Sequence, residues 1–293
     1  MKILIHADCE GLCGIRAFVD ASGKIVADLA ADAKMQQLNE INACIDGLRR
    51  AGADEILVWD NCCTSGTPVF NIYDLRPGVY FADSRDPAGP VMHLDAGFDG
   101  AILLGATAMN HTPDAFMAHS VNSRIFDSLE LNGLPIGDIG LNILTASYFQ
   151  VPVLLVSGDD KACREAQRFC GGEMESVETK KGLSCLKSMN HSPVDVCREL
   201  TRKAEEALRK RDSRKIRSMS GPYRLKVRTT APHFLAPWIH MGYEPAAENT
   251  IVLESDDFLD LRAQLHGWSP GAHGKRFGIN SRTTDFFHAL TLD

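Results

Sequence analysis

The sequence predicts an α/β fold: a mixed, mostly parallel sheet covered by helices on both faces, followed by a smaller α+β C-terminal lobe. Two observations support this prediction. Short apolar runs without polar alternation recur along the first two thirds of the chain, and segments with helical periodicity separate them. Strands that are apolar on both faces are typical of parallel sheets buried beneath helices.

Four apolar runs predict the strands of the parallel sheet, at residues 2–8, 55–60, 100–105 and 151–160. Apolar residues recur at intervals of three and four from Leu38 to Leu48 and indicate a helix, which Gly52 ends. The turn Asn132-Gly133 predicts an antiparallel hairpin. We therefore expect the sheet to be mixed.

The second half is less regular and predicts a separate, smaller unit. Ser192 and Pro193 open a long amphipathic helix, and two short strands and a further helix follow it. The C-terminal tail has no readable period, and we assign it no function. The expected units are an α/β core domain carrying the site, a smaller α+β lobe and an irregular tail, at residues 1–190, 191–266 and 267–293.

Composition and charge narrow the classes of function. A chain of 293 residues with 44% hydrophobic content is long enough to bury a large core, and its net charge of -7 gives no attraction to nucleic acid or to an anionic membrane. We expect no signal peptide and no membrane span, and hence a cytoplasmic protein. The nine cysteines are accordingly expected to be reduced thiols.

Candidate functional side chains follow the predicted strands, at the edge where open α/β sheets bind ligands. Carboxylates, thiols and imidazoles dominate the set, and these are transition-metal ligands. In chain order the candidates are Asp8 and Glu10 after the first strand, Cys62 after the second, Thr107, His111 and His119 after the third, and Asp138 after the hairpin.

The first of these segments places two acids close together. If the strand alternation continued, Asp8 and Glu10 would project to one side and Cys9 to the other, where it would pack as a small hydrophobe. Two carboxylates that close repel each other, which calls for a shared proton or a cation between them. Taken alone, the segment also fits a turn cap at Asp8 beside a solvated Glu10.

In the order of its motifs the chain resembles the M55 family of D-aminopeptidases over roughly residues 1–265. The order is more specific than any single motif. The matching segments are Asp-x-Glu-Gly at 8–11, Leu-Val-x-Asp at 57–60, Gly-Ala-x-x-Leu-Gly at 100–105, Thr-Pro at 112–113 ahead of His-Ser at 119–120, the hairpin at 132–137 with Gly-Leu-Asn at 140–142, and Gly-Asp-Asp at 158–160.

The resemblance implies a site for one or two zinc ions. Asp8 and Glu10 match two ligands of the family, and His119 matches its catalytic histidine. Cys62 stands where the family has a histidine and Asp138 where it has a glutamate, and we expect both to serve as metal ligands. Thr107 occupies another histidine position, so Thr107 and His111 are possible additional site residues.

The implied function is a zinc aminopeptidase with an altered ligand set, acting on short peptides with an N-terminal D-residue. The resemblance also implies a ring-like homo-oligomer whose active sites face an inner chamber. Two alternatives remain open. One is a metal-poor homologue that binds a peptide or amino-acid derivative without turnover, and the other is a metal-independent amidohydrolase with Cys62 as the nucleophile and His119 as its partner.

Overall fold

The structure is a computed structural model that describes residues 1–21, 23–61, 70–82, 94–172 and 174–267. Within these ranges the strands are β1 Lys2–Ala7, β2 Arg16–Val19, β3 Ile25–Asp28, β4 Glu55–Asp60, β5 Tyr80–Ala82, β6 Gly100–Ala106, β7 Phe126–Leu131, β8 Leu134–Pro135, β9 Val153–Asp159, β10 Glu175–Ser184, β11 Lys187–Asn190, β12 Tyr223–Thr229 and β13 Thr250–Ser255. The α-helices are α1 Ala31–Arg50, α2 Asp138–Tyr148, α3 Asp160–Phe169, α4 Pro193–Arg209, α5 Ala236–His240 and α6 Phe258–Leu265.

Seven strands form the main sheet in the order β11-β10-β9-β6-β1-β4-β5. All neighbours are parallel except β10 and β11, which form an antiparallel pair at one edge. The prediction of a mixed, mostly parallel sheet is confirmed. Its antiparallel strand does not come from the Asn132-Gly133 hairpin, because that hairpin belongs to the second sheet.

Helices cover both faces of the main sheet, as predicted. Ile3 and Ile5 of β1 pack in one core with residues of α1 and α4, whereas Leu4 packs in another with residues of α2 and α3. The alternation along β1 thus buries both faces of the central strand, which explains why residues 3–5 form an uninterrupted apolar run.

The second sheet is antiparallel, with the order β13-β12-β7-β8. Two of its strands, β7 and β8, precede residue 190. Helix α4 follows residue 190 but packs on α1, a helix that covers the main sheet. The contact is close, since a Cβ on Gly47 would lie 2.2 Å from the Thr201 carbonyl oxygen. The two sheets therefore do not divide the chain at residue 190.

The predicted tail, residues 267–293, lies outside the described residues except for Gly267. No helix in the described part of the chain combines the length and the apolar character needed to cross a membrane.

Candidate active site

The first strand ends at Ala7, and the next three side chains converge. The possible ligand atoms of Asp8, Cys9 and Glu10 all lie within 4.8 Å of one another, and Cys9 Sγ is 3.3 Å from Glu10 Oε2. The expectation that Cys9 faces away from the two acids is therefore wrong. Its premise, the period of two, holds only while the backbone stays extended, and residues 9–12 form a turn.

The crowding of the two carboxylates is visible in their electrostatics. Burial and the negative charge of Glu10 raise the pKa of Asp8 to about 7. Asp8 Oδ2 accepts a hydrogen bond from Asn61 Nδ2 at 3.1 Å, and Oδ1 accepts one from the Cys9 backbone N–H at 2.9 Å. A divalent cation between the two acids would relieve their repulsion, and carboxylate oxygens are normal zinc ligands. The donor set therefore fits the predicted metal.

Cys9 is disulfide-bonded, so the expectation of reduced thiols is wrong for this residue. A disulfide sulfur carries no thiolate and supplies no soft ligand to the neighbouring acids. Six other cysteines of the described residues are free thiols, as expected: Cys13, Cys44, Cys163, Cys170, Cys185 and Cys197. Cys62 lies outside the described residues, so its predicted role as a ligand stays a prediction.

Close backbone packing fixes the first loop, residues 8–14, on the end of β6. The Gly11 N–H donates to the Gly105 carbonyl at 2.9 Å, and the Asp8 N–H donates to the Leu104 carbonyl at 2.7 Å. A Cβ on Gly11 would lie 2.2 Å from the Ala106 carbonyl oxygen, so only glycine fits there. The Gly11 of the sequence motif is thus required by the contact between two backbones.

His119 lies in the second loop, residues 107–121, which is the first part of the connection between β6 and β7. Its Nδ1 is 2.8 Å from the Met117 carbonyl oxygen. Because a carbonyl can only accept, Nδ1 carries a proton, and in the neutral ring Nε2 is then the basic nitrogen. Burial lowers the pKa of His119, but the charges of Glu10, Asp138 and Asp8 outweigh that effect and raise the pKa above its usual value.

Asp138 holds the end of this loop. It is the first residue of α2, and its Oδ2 accepts the Val121 N–H at 2.7 Å. Val121 has a φ of +60°, a conformation that costs a β-branched residue about 1–3 kcal/mol and that concentrates at functional sites. Burial raises the pKa of Asp138, and the charge of Asp8 adds to that effect.

The structure thus brings Asp8, Glu10, His119 and Asp138 into one electrostatic cluster. Asp138 is less close than the other acids, since the described residues that share the 4.8 Å group are Asp8, Cys9 and Glu10 alone.

The remaining two candidates lie differently. His111 does not bend inward: its side chain is 64% exposed, and its Nε2 is 3.1 Å from Asp127 Oδ1 on the surface. Thr107 is buried directly after β6, beside the first loop. Its predicted role in the site stays a prediction.

Two buried residues near the site were not found by sequence reasoning. His6 lies two residues before Asp8 on β1 and packs edge-on against Trp59, with 4.9 Å between ring centroids. The period of two along the strand could have indicated it. Lys180 is fully buried beneath the first loop, and a Lys-Lys pair in a polar strand gives no such signal.

Comparison with known proteins decides the family. The family model for M55 peptidases, described as D-aminopeptidase, matches residues 1–266. The chain belongs to this family. The predicted resemblance to the M55 family is therefore confirmed over residues 1–266.

A curated sequence and a solved structure, both from Bacillus subtilis, are similar to this chain. A D-aminopeptidase of strain 168 is 31% identical in an alignment of 232 residues, and the alignment covers 76% of this chain and 79% of the relative. The solved structure of the Zn-dependent D-aminopeptidase DppA, a self-compartmentalizing protease, superposes with a TM-score of 0.80 at 28% identity. The match covers 91% of this chain and 96% of DppA.

Proposed function

We propose that this M55 peptidase is a zinc-dependent aminopeptidase that removes the N-terminal D-residue from short peptides, with a metal-ligand set that departs from the family pattern. The observation that carries the proposal is the convergence of Asp8 and Glu10 near His119, whose Nδ1 is held by the Met117 carbonyl so that Nε2 is the basic nitrogen of the neutral ring. The D-aminopeptidase relatives support the substrate class, and the zinc dependence of DppA supports the metal.

Each residue has a defined role in this proposal. Asp8, Glu10, Asp138 and Cys62 would hold one or two zinc ions. Bound zinc lowers the pKa of a water molecule and polarises a carbonyl group. His119 accepts and returns a proton at Nε2, because its Nδ1 proton is held by the Met117 carbonyl. The negative charge of the site also suits a substrate with a free, positively charged amino group.

Metal analysis and hydrolysis of matched peptides test the proposal. Purified protein is expected to contain zinc, to hydrolyse D-alanyl dipeptides faster than their L-alanyl counterparts, and to lose that activity in chelator. Absence of both zinc and hydrolysis would leave the metal-poor binding protein as the better account. Activity that persists in chelator but is lost on thiol alkylation would favour the Cys62–His119 amidohydrolase instead.

We further infer a cytoplasmic homo-oligomer with a ring-like arrangement. The assembly is supported by the self-compartmentalizing DppA structure, which covers 91% of this chain. Light scattering of the purified protein is expected to give a mass several times that of the 32.1 kDa chain. A monomer at micromolar concentration would contradict it.

A further inference from the structure

A buried lysine lies under the first loop. Lys180 on β10 is fully buried, although an ammonium group is among the most costly side chains to remove from water. Burial lowers the pKa of Lys180 to about 8, although the nearby negative charge of Glu40 acts to raise it. Because burial of an ammonium group is so unfavourable, Lys180 is expected to make specific polar contacts.

The contacts of Lys180 and its neighbour Thr179 are to consecutive carbonyls of the first loop. Lys180 Nζ donates to the Glu10 backbone oxygen at 2.9 Å. The Thr179 hydroxyl lies against the backbone oxygens of Gly11 and Gly158, 3.0 Å from the latter. The two peptide units on either side of Gly11 are therefore each held by a side chain of β10.

An irregularity of β10 makes this double contact possible. In a regular strand, consecutive side chains such as Thr179 and Lys180 point to opposite faces. The register between β10 and β9 shifts between Glu178 and Lys180, so that Glu178 pairs with Gly158 and Lys180 with Asp159. A bulge of this kind re-aims side chains, and here two adjacent side chains reach the same loop.

Lys180 also contacts the loop that carries His119. Its Nζ lies 4.3 Å from the centroid of the Phe116 ring, within cation–π range. Phe116 is itself fixed, because its N–H donates to Asp159 Oδ2 at 2.8 Å. Lys180 thus contacts both the backbone of Glu10 and the second loop, which carries His119.

We propose that Thr179 and Lys180 are positioning residues of the proposed zinc site, where they set the place of the Glu10 carboxylate relative to Asp8 and His119. The inference rests on the proposed function. Residues that orient metal ligands from behind typically contribute 10- to 100-fold to metal affinity or activity.

Two matched pairs of variants in the full chain test this proposal. Thr179→Val keeps the shape of the side chain but loses the hydroxyl, whereas Thr179→Ser keeps the hydroxyl. Lys180→Met loses the ammonium group at the loop. Lys203→Met loses one on α4, where Lys203 Nζ binds Glu175 Oε2 at 2.6 Å, away from the site.

The readouts are the zinc dissociation constant, measured by competition with a chromophoric chelator, and kcat and KM measured separately at saturating zinc. We expect Thr179→Val and Lys180→Met to weaken zinc binding by about 10- to 100-fold and to lower kcat more than they raise KM. For Thr179→Ser and Lys203→Met, the zinc dissociation constant, kcat and KM should each stay within about threefold of the wild-type values. If Lys180→Met does not fold, the two Thr179 variants still decide.

The outcomes separate the two proposals. If the wild type binds zinc and hydrolyses D-peptides while Thr179→Val matches Thr179→Ser and Lys180→Met matches Lys203→Met, the positioning role is overturned and the proposed function stands. If the wild type neither binds zinc nor hydrolyses the peptides, both are overturned.

Discussion

The two loops that form the candidate site are held in place by different means. The first loop, residues 8–14, is gripped by buried side chains from other elements, including Lys180 on its Glu10 carbonyl and Glu40 on its Cys13 N–H. The second loop, residues 107–121, contains four non-glycine residues with positive φ. Carboxylates accept its backbone N–H groups, with Asp159 at Phe116 and Asp138 at Val121.

The difference follows from what each loop presents. The first loop must keep two mutually repelling acids together, and rigid contacts to its backbone resist their separation. The second must orient one imidazole ring, and turns with fixed N–H partners are sufficient for that. Substitutions in the first region should therefore affect metal binding, whereas substitutions in the second should affect proton transfer or loop stability.

The largest expected effect is that of Asp8→Asn, which keeps an acceptor for the Cys9 N–H but removes the charge that would bind zinc. We expect zinc to be lost from the purified protein and kcat/KM to fall by about 10⁴-fold, which corresponds to roughly 5 kcal/mol. The matched control is Asp127→Asn, which changes a surface acid paired with His111. Full zinc content in Asp8→Asn would contradict the assignment.

His119→Ala sharpens the contrast between the loops, because it removes the imidazole and leaves the acids unchanged. We expect kcat to fall by roughly 10²- to 10⁴-fold, the usual contribution of a general base. Zinc content, measured by mass spectrometry of the metal, should be unchanged. A variant that loses zinc in proportion to its activity would show that His119 is a ligand instead.

Glu40 supports the first loop, and its burial should make the free energy of unfolding depend on pH. Burial raises the pKa of Glu40 to about 7 from an unfolded value of 4.5, and its Oε2 has no hydrogen-bond partner among the described residues. The folded state therefore binds the proton more tightly, so this contribution is fully present below pH 4.5 and is lost as the pH rises through 7. The full difference is about 3 kcal/mol.

Glu40→Gln keeps the acceptor for the Cys13 N–H and removes this titration. Urea unfolding of the chelator-treated protein between pH 4.5 and 8 should show the wild type losing stability relative to Glu40→Gln as the pH rises. Parallel profiles for the two proteins would show that the carboxyl of Glu40 titrates normally.

A smaller effect is expected at the second loop for Asp159→Ala. Asp159 caps α3 through the N–H groups of Lys161 and Ala162 and also accepts the Phe116 N–H. Loss of these bonds should lower the free energy of unfolding by about 2 kcal/mol. Asp195→Ala, in the exposed first turn of α4, should change it by less than about 0.5 kcal/mol. If both variants lowered the free energy of unfolding equally, Asp159 would not stabilise the second loop more than an exposed helix acid does.

The smallest effect is expected for His111→Ala. Its side chain is exposed on the surface, in contact with Asp127. Zinc affinity and kcat/KM should both stay within about twofold of the wild type. A loss of zinc affinity of tenfold or more would mean that the loop bends inward when metal binds.

The sequence predicted the fold well because buried parallel strands leave a strong apolar signal, and Ile3, Leu4 and Ile5 fill the cores on both faces of β1. It could not assign the hairpin at Asn132-Gly133 to its sheet, because a turn motif defines a local pairing and not its long-range neighbours. The sequence also did not show that β1 ends at Ala7. The convergence of Cys9 on Asp8 and Glu10, which depends on that end, could therefore not be predicted.

The supporting residues of the site were the hardest to predict. Asp8 and Glu10 stand in a recognisable motif, but Lys180 lies in a polar strand where a lysine is normally solvated. Only the register shift of β10 turns it toward the first loop, and no local pattern in the sequence marks that shift.

The most direct test of the central claim is a crystal structure of the zinc-loaded protein with diffraction data collected on both sides of the zinc absorption edge. We expect an anomalous peak about 2.0–2.2 Å from carboxylate oxygens of both Asp8 and Glu10, with His119 Nε2 facing it. A protein that takes up zinc only at other positions, with no anomalous peak at these two acids, would contradict the account.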